Sequence, residues 1–414
     1  MKNLRKVGAV VAFVAASSLF LAGCSGPRTA DSSEAENSPG ITDTDVLVGS
    51  SQPLSGSLTA SGTAANGGFL AYLESANDQG GVEMADGKTR TVTLKYYDDG
   101  YDPARATSNF QRLVDQDGIF AYINALGTAT NLAIMPSANS LGVPQILPQT
   151  GNAAFSNDRP AHPWTLGFQP TYQREGRAYG EYLVSLDKPI RLAFLHQDDD
   201  QGKAFQEGLE EAIAGSKVEI VAQTTYTPTD TTLDSQISQL AASGADAFMM
   251  AVLFPALVVQ SVQKMAELQW QPITYLPQAA SSVSQVVGPS DAANTLPQLF
   301  SSSYFVDVCG SGAASDPTVA KYLDDMAKYA PDADACLAQS ICGYMSAAFF
   351  VEALKGMAEP TRQALMDSIA QIKTSDLPLL RPGLTVDGSD TGTAPVGNTQ
   401  LIQFQSGAWV TAGD

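Results

Sequence analysis

Histidine is nearly absent from this sequence. Its 414 residues hold two, His162 and His196, so a histidine-rich metal centre is excluded and any imidazole base must be one of these. Cysteine is scarce: Cys24, Cys309, Cys336 and Cys342 form no C-x-x-C pair, which leaves no zinc ribbon. Basic residues are also few, 23 Lys and Arg against 43 Asp and Glu. The net charge of −20 argues against a general nucleic-acid binder, which needs cations for phosphates. Charged residues make up only 16% and hydrophobic ones 44%, so disorder over most of the chain is excluded. Beyond the N-terminal region no segment reaches the ~20 apolar residues of a membrane helix. The length exceeds one ordinary domain and fits two or three.

Catalytic motifs are missing as well. Gly81 to Thr89 imitates a phosphate loop, but has five residues between its glycines where four are needed and follows a helical stretch. It reads as a surface β-turn. Gly310-Ser311-Gly312 lacks the third glycine of a dinucleotide fingerprint and reads as a loop. Neither G-x-S-x-G nor H-E-x-x-H occurs. His196 precedes Gln197-Asp198-Asp199-Asp200, which lacks calcium-loop spacing and reads as a solvated loop. No nucleophile has an evident activating base. The chain is therefore expected not to be an enzyme, and to hold no cofactor and no metal.

What is present is an alternation of strand and helix. Val46–Gly49, Thr91–Tyr97, Ile119–Ile123 and Val143–Leu147 read as strands. Between them lie helical stretches around Phe69 to Leu73, after Asp102-Pro103, and over Asn131–Ser140. The order repeats from Arg191 to Leu276. His162 to Pro170 forms a proline-punctuated crossover between the halves. From Leu299 a strand leads into three helical stretches, and the last forty residues read as β. This is an α/β pattern of two doubly wound, mostly parallel lobes with a ligand cleft between them.

Lys2, Arg5 and Lys6 precede an apolar run that ends in Leu21-Ala22-Gly23-Cys24. These residues resemble a bacterial lipobox, which implies a signal peptide over 1–23 and lipidation of Cys24. Its removal takes the net charge from −20 to −23. Residues 24–43 are then expected to be a flexible tether. A lipid-anchored protein on the outer face of the cell membrane is implied.

The body also resembles a family. Pro53-Leu54-Ser55-Gly56, Gly80-Gly81-Val82 with Asp98-Asp99 and Asp102-Pro103, Leu126 to Asn131, Pro163 to Gln173 and Leu377 to Gly383 occur in the order found in solute-binding lipoproteins of ABC importers. The class is that of the leucine/isoleucine/valine-binding proteins, with the type I periplasmic binding fold. The resemblance implies two lobes, 44–165 with 299–376 and 166–298 with 377–414, joined by three crossovers. It implies a monomer that captures a small carboxylate-bearing solute, either an amino acid or a related organic acid, and passes it to an ABC transporter permease. The alternative is a ligand-sensing lipoprotein that binds an amide or aromatic acid and signals to a membrane receptor.

By position, the resemblance assigns the solute carboxylate to Thr128 and Ala129 at a helix N-terminus, where backbone N–H groups suit an anion. It assigns further contacts to Ser55, Ser61, Gln149, Thr150, Gly151, Tyr172, Gln201, Phe254 and Gln278. Phe254 reads equally well as core. Gln278 stands where the branched-chain binders have a glutamate for the ligand ammonium. A buried ammonium needs a counter-charge, so either Asp199 or Asp200 replaces that acid or the solute is not an α-amino acid. Of the remaining cysteines, Cys336 and Cys342 are too far apart within one helix to bridge. Cys309–Cys336 is the expected disulfide and Cys309–Cys342 the alternative.

Overall fold

The computed structural model describes residues 37–157 and 159–412. Cys24, the run before it and most of the expected tether lie outside these residues. Ser38 to Asp43, counted with the tether from sequence, are docked on the body. The Ser38 N–H donates to Pro360 O at 3.0 Å, and Ile41 is buried in the core.

The first sheet starts from β1 (Asp45–Gln52), an apolar run with Val46 and Val48 fully buried. Helix α1 (Thr59–Asp78), β2 (Val82–Glu83) and β3 (Thr89–Asp98) follow. In β3 the side chains of Arg90, Val92 and Leu94 point inward at every second position. β2 and β3 form an antiparallel hairpin, so Gly81–Thr89 is a β-turn with its flanks. Asp102 caps α2 (Pro103–Arg112) by accepting from the Arg105 N–H, with proline at the first position. Then come β4 (Tyr122–Ile123), α3 (Thr128–Leu141), β5 (Gln145–Ile146) and β6 (Thr165–Leu166). The sheet order is β2-β3-β1-β4-β5-β6, parallel apart from the hairpin.

Apolar periodicity does not announce α4 (Tyr172–Ser185). Its buried stripe is Tyr172, Glu175, Gly176, Tyr179, Gly180 and Leu183, at helical spacing but with a single aliphatic member. Thr171 caps it through the Arg174 N–H. The alternation resumes with β7 (Ile190–Gln197), α5 (Asp200–Ile213), β8 (Val218–Tyr226), α6 (Asp234–Ala242) and β9 (Ala247–Ala251). It continues through α7 (Pro255–Glu267), β10 (Ile273–Tyr275), α8 (Ala292–Thr295) and β11 (Leu299–Ser303). Three helices follow, α9 (Pro317–Tyr329), α10 (Ala338–Lys355) and α11 (Arg362–Ile369). A small ladder of β12 (Lys373–Thr374) and β13 (Val386–Asp387) precedes β14 (Gln400–Gln405) and β15 (Ala408–Thr411). The second sheet has the order β15-β14-β11-β10-β9-β7-β8, parallel except that β14 runs against both its neighbours, β11 and β15.

Each sheet is covered on both faces. α1, α9 and α10 share one core with β1 and β3, while Phe110, Leu113, Ile134 and Ala138 pack on the opposite face. In the second sheet α4 and α5 cover one face and α6 and α7 the other. α10 is buried almost all round, as its continuous apolar composition requires. A Cβ at Gly343 would lie 2.5 Å from the Ala65 carbonyl oxygen, so glycine at this position lets α10 press against α1.

The chain passes between the two sheets three times: after β6, after β11 and before β14. β11 belongs to the second sheet, while Leu377, Leu379, Leu384 and Val396 lie in the core of the first. Cys309 and Cys336 form a disulfide across the second passage, with Cα atoms 5.7 Å apart and a sequence separation of 27. Cys342 is a buried free thiol. Closing a loop of that length is worth about 3 kcal/mol in chain-entropy terms. A Cys309→Ser/Cys336→Ser variant is expected to lose stability of that order in urea unfolding, and an unchanged midpoint would contradict the assignment.

Candidate functional site

The strands of both sheets end toward one cavity of about 690 Å³, counted with the space open to solvent. The loops after parallel strands meet there. From the first sheet, the region after β1 brings Leu58 and Ser61, β3 is followed by Tyr101, and β4 by Leu126, Gly127 and Thr128. Gln149 follows β5, and the crossover after β6 adds Gln169, Tyr172 and Glu175. From the second sheet come Gln197, Gln201, Leu253, Phe254, Gln278 and Ala279, and the start of α10 supplies Ala338, Gln339 and Cys342.

Seven of the residues expected from sequence line this cavity: Ser61, Thr128, Gln149, Tyr172, Gln201, Phe254 and Gln278. Four do not. Ser55 is exposed and donates to Asp98 Oδ2 at 2.7 Å, because the Pro53–Gly56 turn folds back on the end of β3. Ala129 is exposed on the first turn of α3. Thr150 is buried behind Thr128, with the two hydroxyl oxygens 2.7 Å apart. Gly151 accepts the Tyr172 N–H at 2.8 Å and packs beneath that ring.

The cavity wall contains one carboxylate and no Lys, Arg or His. The acid is Glu175, 4% exposed. Its Oε2 accepts from the Tyr275 hydroxyl at 2.9 Å, the Gln278 N–H at 3.0 Å and the Ser302 hydroxyl at 3.1 Å. Burial raises its pKa above the ordinary 4.5 against the lowering effect of those donors. A close helix contact holds it in place: a Cβ at Gly176 would collide with the Phe205 carbonyl oxygen, so glycine there lets α4 lie tightly on α5. Sequence reasoning missed Glu175 along with its helix. The available signal was its position on the 172, 175, 176, 179, 180, 183 stripe.

The acids named as substitutes are engaged elsewhere. Asp199 is the N-cap of α5, accepting from the N–H groups of Gln201 and Gly202 and from Gln197 Nε2. The expected solvated loop thus leads straight into a helix. Asp200 is exposed and pairs with Lys203 at 3.3 Å. His196 is buried, with Nδ1 2.8 Å from Gln197 O and Nε2 2.8 Å from Gln223 Nε2. These partners fix a neutral tautomer with the proton on Nδ1, and burial lowers its pKa.

Amides supply most of the wall's polarity. Gln149 Nε2 is spent on Asn124 Oδ1 and Gln339 O, tying the β5 loop to α10. Gln201 Nε2, Gln197 Oε1 and Gln339 Oε1 are buried and have no protein partner. Unpaired buried amide groups are costly, so they suit a polar solute. The hydroxyls of Tyr101 and Tyr172 interact with Thr128, and burial raises both pKa values, leaving neutral phenols. Phe254 serves as wall and core at once, meeting the Tyr226 ring edge-on at 6.1 Å. The Cys342 thiol, pushed up to about 11 by burial, donates to Gln169 Oε1 at 3.5 Å. No group of three or more metal-ligating side chains occurs among the described residues, and no helix among them is long and apolar enough to cross a membrane.

A family model described as periplasmic binding protein matches residues 45–408. The Leu/Ile/Val-binding protein homolog 3 of Brucella melitensis is 24% identical over 205 residues, 49% of this chain and 53% of that protein. The chain thus spans about half the length of the curated relatives it matches. The fatty acid ABC transporter substrate-binding protein from Thermomonospora curvata has a TM-score of 0.76 at 20% identity, covering 91% of this chain and 93% of that one. A solute-binding protein of an ABC transporter from R. palustris in complex with benzoate has a TM-score of 0.72 at 17% identity, covering 89% and 96%. These two structures are likenesses of fold.

The raised pKa of Glu175 has a consequence for stability. Below the ordinary carboxyl range both folded and unfolded chains hold the proton. As pH rises through 4.5 the unfolded chain ionises first and stability falls until the folded carboxyl follows. Glu175→Gln keeps an acceptor for the three donors and removes the charge. In the solute-free protein it is expected to raise Tm at pH 7, with the gain vanishing below about pH 4. Thermal melts across that range check the sign, and a loss of Tm at neutral pH would refute it.

Proposed function

The chain belongs to the periplasmic binding protein family, in its leucine/isoleucine/valine-binding class, and on that premise we propose that it is the extracytoplasmic solute-binding component of an ABC importer. It captures a small carboxylate-bearing solute between two lobes and delivers it to a membrane permease. The observation that carries the reading is a cavity to which both sheets contribute, with unpaired amides in its wall. The ligands in the names of similar proteins support a carboxylate, since fatty acid, benzoate and the branched-chain amino acids all carry one.

The first lobe holds the carboxylate. Thr150 Oγ1 accepts the Asn152 N–H at 3.1 Å and lies 2.7 Å from Thr128 Oγ1, so the two hydroxyls form one polar unit at the wall, from which Thr128 turns to the solute. α3 starts at Thr128 with no side chain capping it, and its backbone N–H groups and dipole favour an anion without a lysine. Solute docks here first, and closure then brings Gln197, Gln201, Phe254 and Gln278 onto it from the second lobe. The lobes in this reading follow sheet membership, with β11, β14 and β15 in the second lobe and α9, α10 and α11 in the first. Cys24 anchors the assembly by lipid, and the protein acts as a monomer.

Thr128→Ala removes a hydrogen bond to a charged group and is expected to weaken carboxylate binding about tenfold or more. Isothermal titration calorimetry on whichever carboxylate binds the unaltered chain reads this directly, and an unchanged Kd would sink the assignment.

A further inference from the structure

One oxygen of Glu175 has no function in the fold. Oε2 takes all three protein donors that reach the carboxylate. Oε1 receives no hydrogen bond from the described residues and is not sealed away from space, while the residue itself lines the cavity. Among the described residues no cation stands beside it, because the wall has no Lys, Arg or His. A buried carboxylate left like this is costly unless a positive group joins it. The surroundings have the same polarity, since Gln197 Oε1 and Gln339 Oε1 are buried acceptors without a donor. On the opposite side of the ledger stand donors: Thr128 Oγ1, the start of α3 and the unpaired Gln201 Nε2. The wall therefore presents both an acceptor pole and a donor pole.

We propose that Glu175 determines the solute class, with its Oε1 receiving a protonated amine of the solute. The solutes captured are then carboxylates that also carry an amine, and simple monocarboxylates such as fatty and aromatic acids are rejected. Glu175 supplies from α4 the counter-charge that position 278, a glutamine, lacks. Gln278 instead supports that acid through its backbone N–H. This inference rests on the carboxylate-capture reading above and adds the second charge.

The test is calorimetry on the full chain with paired probes: L-leucine, L-phenylalanine and L-glutamine against 4-methylpentanoate, 3-phenylpropanoate and 4-carbamoylbutanoate, the same acids without the amine. At least one amino acid is expected to bind about 100-fold tighter than its deaminated partner. Glu175→Gln is expected to cut that gap to about tenfold or less while leaving the deaminated acid within about threefold, an effect that a merely structural role would not produce. The comparison within the unaltered chain stands even where the variant fails to fold. Equal binding of the partners, binding of the amine-free acids alone, or a gap that survives Glu175→Gln overturns the proposal and leaves carboxylate capture intact. Binding of no carboxylate of either kind overturns both.

Discussion

A carboxylate removed from water with no cation beside it is among the more expensive things a fold can hold, and the cleft of this chain is arranged around one. Glu175 stays in place because neighbours from three places in the sequence meet at a single oxygen. Tyr275 reaches it from the end of β10, Ser302 from β11 and the Gln278 N–H from the turn between them. The helix that carries Glu175 can lie there only because Gly176 admits the backbone of α5. Sheet order, helix contact and site chemistry are thus parts of one arrangement.

The first sheet contributes through different physics. Its parallel strands end in short loops, and α3 begins at the cavity wall behind Gly127, an N-cap residue with no side chain to bond its N–H groups. Gln52 fixes those loops from below: its Nε2 donates to Asn124 O at 2.7 Å and its Oε1 accepts the Leu126 N–H at 3.2 Å. Gln149 links them to α10, whose apolar surface locks it against α1. The donor pole is therefore rigid and local, while the acceptor pole depends on elements remote in sequence. Under the proposed function, a solute that spans both poles would couple the two sheets.

Much of this was legible in the sequence where one residue type has one strong physical consequence. Asp102-Pro103 starts a helix as its chemistry requires, and β3 alternates as a half-buried strand must. Gly81–Thr89 proved to be a hairpin turn, as its spacing required. Thr128 stands at a helix start facing the cavity. Ser55 shows the limit of reading by position: its motif is present, but the turn directs the hydroxyl to Asp98. Asp199 shows another, since an aspartate before a helix can be consumed entirely as a cap. α4 escaped because tyrosine, glutamate and glycine carry its inward stripe, and apolar periodicity cannot register them.

The sequence by itself determined the class of fold, the likeness to a solute-binding family and the helix that starts at Thr128. Those rest on signals local in the chain: hydrophobic period, caps, and short motifs in a fixed order. Only the tertiary structure decided which acid enters the cleft, which amides lack partners, and that α10 completes the wall from some 340 residues along the chain. The reason is that burial and unpaired hydrogen-bonding capacity belong to no residue alone. They arise where distant segments exclude water together, and no spacing within the chain encodes that meeting directly.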